Sequence, residues 1–248
     1  IDVKLNDKRH SLSASETIVY KNNSQQALTE LYFHLWPNAY KNRETALCKQ
    51  LVKNGETELF FAREDERGFI DSLDFRINQQ PIQWMLDSQH IDICKLILNE
   101  PLQPGASAII TTPFYVKLPS AKFSRLGHLD QAYMITQWFP KPAVYDHLGW
   151  HAMPYLNQGE FFSEFGSFEV NITLPANYIV AATGDLQNSE ELQLLEQKAI
   201  ETSKTNSFTN DMSFPKSDNV FKTITYKQNN VHDFAWFADK RYHVLKGE

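Results

Sequence analysis

Residues Tyr133–Asp185 read YMITQWFPKPAVYDHLGWHAMPYLNQGEFFSEFGSFEVNITLPANYIVAATGD. Near its end Val170, Ile172 and Leu174 alternate with polar residues, and Tyr178 to Thr183 follows after Pro175 and Asn177, which predicts two strands joined by a turn. The part before them carries a dense, non-repeating set of aromatics: Trp138, Phe139, Tyr145, Trp150, Tyr155, Phe161, Phe162, Phe165 and Phe168. Most fall between strands or at strand ends. They read either as a surface built for recognition or as a satellite aromatic cluster beneath a long loop. The stretch from Glu160 to Leu174 is expected to be mostly sheet.

Working outward, the same alternation recurs. Val3 and Leu5, a turn at Asn6-Asp7-Lys8, and Leu12, Ala14, Thr17 and Val19 predict an opening hairpin. Leu28 to Trp36, Phe69 to Ile77, Ile82 to Leu86, Ile91 to Leu98 and Ala108 to Leu118 are further strand patterns, as are Val220 to Lys227 and His232 to Phe237. Short, evenly spaced runs with turn signals predict a mainly β chain, a saddle-shaped or sandwich-like antiparallel domain. Pro37 to Arg67 is polar and charged, a long excursion with one helical turn from Thr45 to Val52. One short surface helix is expected at about 189–204, with Asn188 as cap, Glu191 at the third position, and Leu192, Leu195, Ala199 and Ile200 as its apolar stripe.

The chain has 248 residues, enough for one large β domain, so residues 1–248 are read as a single domain. Thirty acidic against 24 basic residues give a net charge of −6 without long runs. That leaves no basic footprint for nucleic acid or an anionic membrane. The sequence contains no run of about 18 apolar residues and no signal-peptide pattern. Ile1 falls in mid-strand pattern with no initiating Met, which reads as a fragment or processed product. Cys48 and Cys94 form neither a disulfide framework nor a zinc ribbon.

Catalytic motifs are absent from these residues. None of the eight histidines is followed by Glu, so the HExxH zinc helix does not occur. His147 and His151 have helical ligand spacing, but Gly149 between them and Pro142 and Pro154 outside indicate a turn. No nucleophile elbow or phosphate-binding loop is present. Asp146 with Glu160 or Glu164 forms a conceivable carboxylate pair, as would many pairs among 30 acids. The sequon at Asn171 lies in a predicted strand.

ITQWFPKPAVYD and GWHAMPYLNQGEFFSEFGSFEVNITLPANYIVAATGDL, with YFHLWPNAYKN at Tyr32–Asn42 and NVHDFAWFADKRYHV at Asn230–Val244, resemble the amino-terminal domain of the aminopeptidase N-like zinc metallopeptidases, in a bacterial branch. The resemblance spans nearly the whole chain. It implies a non-catalytic first domain that packs on a downstream catalytic domain and forms part of the peptide cleft. Zinc would belong to that second domain, so no catalytic or metal residue and no cofactor is expected in this chain, and the chain alone is expected to be inactive although its parent would be a peptidase. The parent would be periplasmic, cell-surface or secreted, with a cytoplasmic location left open. In the family a Thr-Gln-x-Glu/Gln stretch reaches into the cleft, which makes Thr136 and Gln137 the implied substrate contacts, with Trp138, Phe139 and Tyr145 as pocket wall. Phe139 stands where the resemblance implies a group that holds the substrate's amine. A phenyl ring cannot accept an ammonium's hydrogen bonds, so other groups would hold it or its anchoring would be weaker, a departure from strict aminopeptidase specificity. The resemblance also allows a cis Phe139–Pro140 bond. A different class of reading is a free-standing sandwich module for protein or carbohydrate binding, with Trp150 and Tyr155 as a stacking platform.

Overall fold

The opening hairpin forms as its alternation requires: β1 (Asp2–Asn6) and β2 (Ser11–Lys21) pair antiparallel from Asp2↔Ser15 to Asn6↔Ser11. The computed structural model describes residues 1–159, 161–207 and 210–247. Among these, the strands form a nine-stranded sheet, two four-stranded sheets and one two-stranded hairpin, and none closes into a barrel. The large sheet runs outward from β1 in both directions. On one side lie β2 and Ser107–Lys117, on the other Gly166–Pro175 and Phe221–Val231. The ladders are antiparallel except one, the parallel pairing of β1 with Gly166–Pro175.

The core lies on the inward faces selected by the period of two. Val3, Leu5, Leu12, Ile110, Phe114, Val116, Val170, Ile172, Leu174, Ile224 and Tyr226 are buried and contiguous. Against them pack β3 (Leu28–His34) with Ile93–Leu102 and Lys141–Pro142, and the sheet of Ala132–Ile135, Trp236–Asp239 and Ile179–Ala182. Each fully buried aromatic removes a large apolar area from water, at roughly 25 cal/mol per Å².

The excursion after β3 holds α1 (Ala46–Lys53) and α2 (Glu58–Phe61), with short 3₁₀ turns at Trp36–Tyr40 and Glu64–Glu66. Thr45 caps α1 by accepting from Cys48 N at 3.3 Å. The expected turn at Thr45–Val52 is therefore a true helix, and its buried Leu47, Cys48 and Leu51 anchor the excursion to the core.

α3 (Ser189–Ser203) forms where it is expected, but its start differs. Asn188 makes no capping bond; its Oδ1 accepts from Thr225 N at 2.7 Å. Glu191 pairs with Lys222 at 2.6 Å, so both residues tie the helix to strand Phe221–Val231 in place of forming a capping box. The stretch Phe161–Phe165 is not strand, which begins at Gly166, and Glu160 lies outside the described residues. Tyr242–Leu245 forms no strand. No helix among the described residues is long and apolar enough to cross a membrane.

Candidate functional site

Strand Ala132–Ile135 is held by the Trp236–Asp239 strand, ending at Ile135↔Trp236. The chain then leaves the ladder through Thr136–Pro140 and rejoins β3 at Lys141↔His34. Gln137 makes this turn with φ +46°, a left-handed conformation uncommon for a residue with a side chain. The Phe139–Pro140 bond is trans, so the sharp turn rests on Gln137 and the cis expectation does not hold.

Lys141 and Asp233 supply the support. Lys141 is buried; its ammonium lies 3.0 Å from Asp233 Oδ1 and donates to His232 O at 3.0 Å and Ser163 Oγ at 3.3 Å. The Trp36 and Phe139 rings flank it at 5.6 and 5.5 Å. Burial lowers the Lys141 pKa, and the Asp233 carboxylate acts in the opposite sense. The other oxygen, Asp233 Oδ2, accepts from Gln137 Nε2 at 3.1 Å. Because a carboxylate only accepts, this contact fixes which end of the Gln137 amide is which. Gln137 Oε1 then stands buried with no hydrogen-bond partner among the described residues, as does Thr136 Oγ1 one residue earlier. Two adjacent unpaired buried oxygens on a clamped, left-handed turn are an arrangement that leaves acceptor capacity unspent.

The five expected contacts do not form one wall. Thr136 and Gln137 belong to this clamped turn. Trp138 points into the core: fully buried, it donates from Nε1 to Phe234 O at 3.1 Å and packs against Phe114, Phe139 and Trp236. Phe139 is also buried and lies edge-on to Phe168. Tyr145 is half-buried, packs on Trp150 and donates to Gln26 Oε1 at 2.9 Å. Phe139 and Tyr145 both line a large cavity beside β2, away from Gln137. Lys141 and Asp233 escaped the sequence reading, because only folding brings residues 92 positions apart into contact.

The aromatic stretch resolves mostly into packing. Trp138, Phe139 and Tyr155 are core, and Tyr145, Trp150, Phe161 and Phe168 lie half-buried against it. A stacking platform of Trp150 and Tyr155 is excluded, since Tyr155 is fully buried between Tyr40 and Trp36 and bonded to Ser124. Exposed apolar side chains do remain on this segment: Leu148 at 76%, Phe165 at 70% and Phe162 at 44% exposure. His147 and His151 flank the turn of the hairpin Val144–Asp146/Gly149–His151, as their glycine implied, and His151 Nε2 sits 2.8 Å from Asp146. Among the described residues no group of three or more His, Cys, Asp or Glu could hold a metal ion.

The chain matches no protein-family model and no curated protein. Solved structures do match. The M1 zinc metallopeptidase from Deinococcus radiodurans aligns with a TM-score of 0.50 and 13% identity, over 96% of this chain and 40% of that one. The fold is one found in M1 zinc metallopeptidases. A mutant two-domain M1 zinc metallopeptidase bound to L-tryptophan aligns equally, with TM-score 0.50 and 13% identity over 96% of this chain and 41% of that one. The chain thus spans about two fifths of the length of these M1 structures. At such identity the likeness is one of fold.

Proposed function

We propose that the chain is the non-catalytic N-terminal β domain of an aminopeptidase-like zinc metallopeptidase, packing on a catalytic domain and forming part of the peptide cleft. The observation that carries this reading is the Thr136–Gln137 turn: a strained backbone pinned by the Lys141–Asp233 pair, with two buried oxygens unpaired. Strain held in place by a dedicated buried pair is characteristic of functional sites. Gln137 Oε1 is the acceptor that the clamp leaves unpaired, and because it is buried in this chain a peptide amide or the substrate's free amine would reach it only after the turn shifts. Phe139, buried among rings, is unavailable for that task. Zinc and the general base would belong to the second domain, where the metal would activate water and polarise the scissile carbonyl. Support for such a partner comes from the M1 fold and from exposed Leu148, Phe162 and Phe165, which a second domain would cover. On this reading the parent is periplasmic, cell-surface or secreted, with a cytoplasmic location left open.

The test is Gln137→Ala in the parent enzyme. Peptide kcat/KM is expected to fall by about tenfold, the effect of losing one substrate hydrogen bond of ~1.4 kcal/mol, with bound zinc unchanged and thermal stability modestly lowered because Asp233 Oδ2 loses its donor. An unchanged kcat/KM would remove Gln137 from the cleft. The 248-residue chain alone is expected to show no zinc-dependent peptide hydrolysis; turnover by it would sink the assignment as non-catalytic.

A further inference from the structure

Three donors converge on the Asp233 carboxylate. Oδ1 takes the Lys141 ammonium at 3.0 Å and Phe234 N at 2.8 Å, and Oδ2 takes Gln137 Nε2 at 3.1 Å. The ammonium is committed in the same way, to Asp233, to His232 O and to Ser163 Oγ, so its three hydrogens have three acceptors. Buried between the Trp36 and Phe139 rings, it needs Asp233 as its counter-charge. Neither member of the pair can turn away without leaving the other unpaired.

The consequence falls on Gln137. A carboxamide has a donor end and an acceptor end of nearly equal size, and a free glutamine can present either one. Turned over, Gln137 would set Oε1 against Asp233 Oδ2 at the same 3.1 Å, two oxygens with no proton between them. The carboxylate excludes that state. The Lys141–Asp233 pair therefore does more than pin a backbone turn: it decides which end of the amide is left over, and the end left over is the unpaired Oε1.

We propose that Asp233 is the positioning residue that sets specificity at the Thr136–Gln137 turn, locking Gln137 as an acceptor so that the site selects substrate groups that donate an N–H. This inference rests on the reading of Gln137 as a cleft residue and adds the origin of its polarity. The clamp grips the Nε2 end, so when the turn shifts to uncover Oε1 it moves about that end and the polarity is kept. An N–H, from a backbone amide or from an amine, meets a preset acceptor. An ester oxygen in the same place meets lone pairs with lone pairs and is rejected, and a methylene leaves Oε1 unpaired.

The lock can be reversed by one atom. In Asp233→Asn the new carboxamide keeps its oxygen toward Lys141 and Phe234 N, which both donate, and so turns its NH₂ toward Gln137. Gln137 then flips to accept from it and offers Nε2 in place of Oε1. Adding Gln137→Glu to Asp233→Asn restores the acceptor, since one carboxylate oxygen takes the new NH₂ and the other is left over.

The experiment uses the full parent enzyme and three substrates: a peptide, its depsipeptide analogue with an ester oxygen replacing the N–H of a bond other than the scissile one, and its analogue without the terminal amine. The kcat/KM of the peptide is expected to exceed that of one analogue by about tenfold or more, and which analogue it is tells amide from amine. Asp233→Asn should lower that ratio by about tenfold, and the double variant with Gln137→Glu should restore it; a merely structural loss would lower all three substrates together. A ratio unchanged in Asp233→Asn, while Gln137→Ala abolishes it, would overturn the lock and leave Gln137 in the cleft. No change of kcat/KM in Gln137→Ala would remove the cleft reading and the lock together. Should Asp233→Asn fail to fold, the side-chain amide resonance of Gln137, assigned by its loss in Gln137→Ala, decides in the unaltered parent. One Nε2 proton is expected to exchange at least tenfold more slowly than those of exposed glutamines, and exchange of both at the exposed rate would refute the lock.

Discussion

Gln137 combines a left-handed backbone, an amide held by Asp233 and an unpaired oxygen, a state stable only because Lys141 neutralises Asp233 in a buried setting. Its neighbour Trp138 has the opposite character, with every contact spent inside the core. Trp138→Ala is expected to lower unfolding free energy by about 3–5 kcal/mol in denaturant titration. A loss below 1 kcal/mol would show that the indole does not support this region. Glu16 is a third case. Burial raises its carboxyl pKa well above the ordinary 4.5, so the folded chain holds it neutral. The unfolded chain ionises it above 4.5, so the stability contributed by neutral Glu16 is complete below that pH and is lost as pH rises toward the folded pKa. Glu16→Gln should remove this loss, and its melting temperature should exceed that of the unaltered chain more at pH 7 than at pH 4. A difference independent of pH would mean that Glu16 is ionised in the fold.

At the scale of elements, turn chemistry decides as much as strand pattern. Gly184, with φ +91°, lies between strand Ile179–Ala182 and the short strand Asp185–Leu186, and an added Cβ would come 2.5 Å from Lys227 O. Gly184→Ala should therefore cost about 1–3 kcal/mol in equilibrium unfolding, from backbone strain and clash together; a neutral result would mean that the turn readily rearranges. The opening hairpin was legible because Val3, Leu5 and Leu12 alternate with polar residues and one face is buried. α3 was legible from its stripe, yet its ends were not: Asn188 and Glu191 prefer partners on the neighbouring strand, which helix-capping rules cannot anticipate. Leu192 and Ile200 remain about half exposed, so the stripe marks a helix without marking complete burial. Phe161–Phe165 looked like sheet because it is apolar, but its rings pack individually against Trp36, His151 and His232, with no ladder.

For the whole molecule, three wholly or partly buried histidines, His10, His34 and His128, all with lowered pKa, set the acid limit. Burial lowers His10 to about 4 and His34 to about 3 from the ordinary 6.5. His34 Nε2 accepts from Met153 N at 3.1 Å, a bond that requires the neutral ring. Since the unfolded chain protonates first, stability is full above 6.5 and falls as pH drops toward 4. Melting temperature should decline across that window, with a shallower decline in His10→Gln; equal slopes would exclude His10 from the effect.

By itself the sequence determined the mainly β class, the sites of most strands and α3, because strand period and turn residues act over a few neighbours. The tertiary structure alone decided the Lys141–Asp233 clamp and the division of Gln137 from Phe139 and Tyr145. Each of these depends on residues far apart in the chain meeting in a water-poor interior, where pairing and the lack of it first acquire energetic weight.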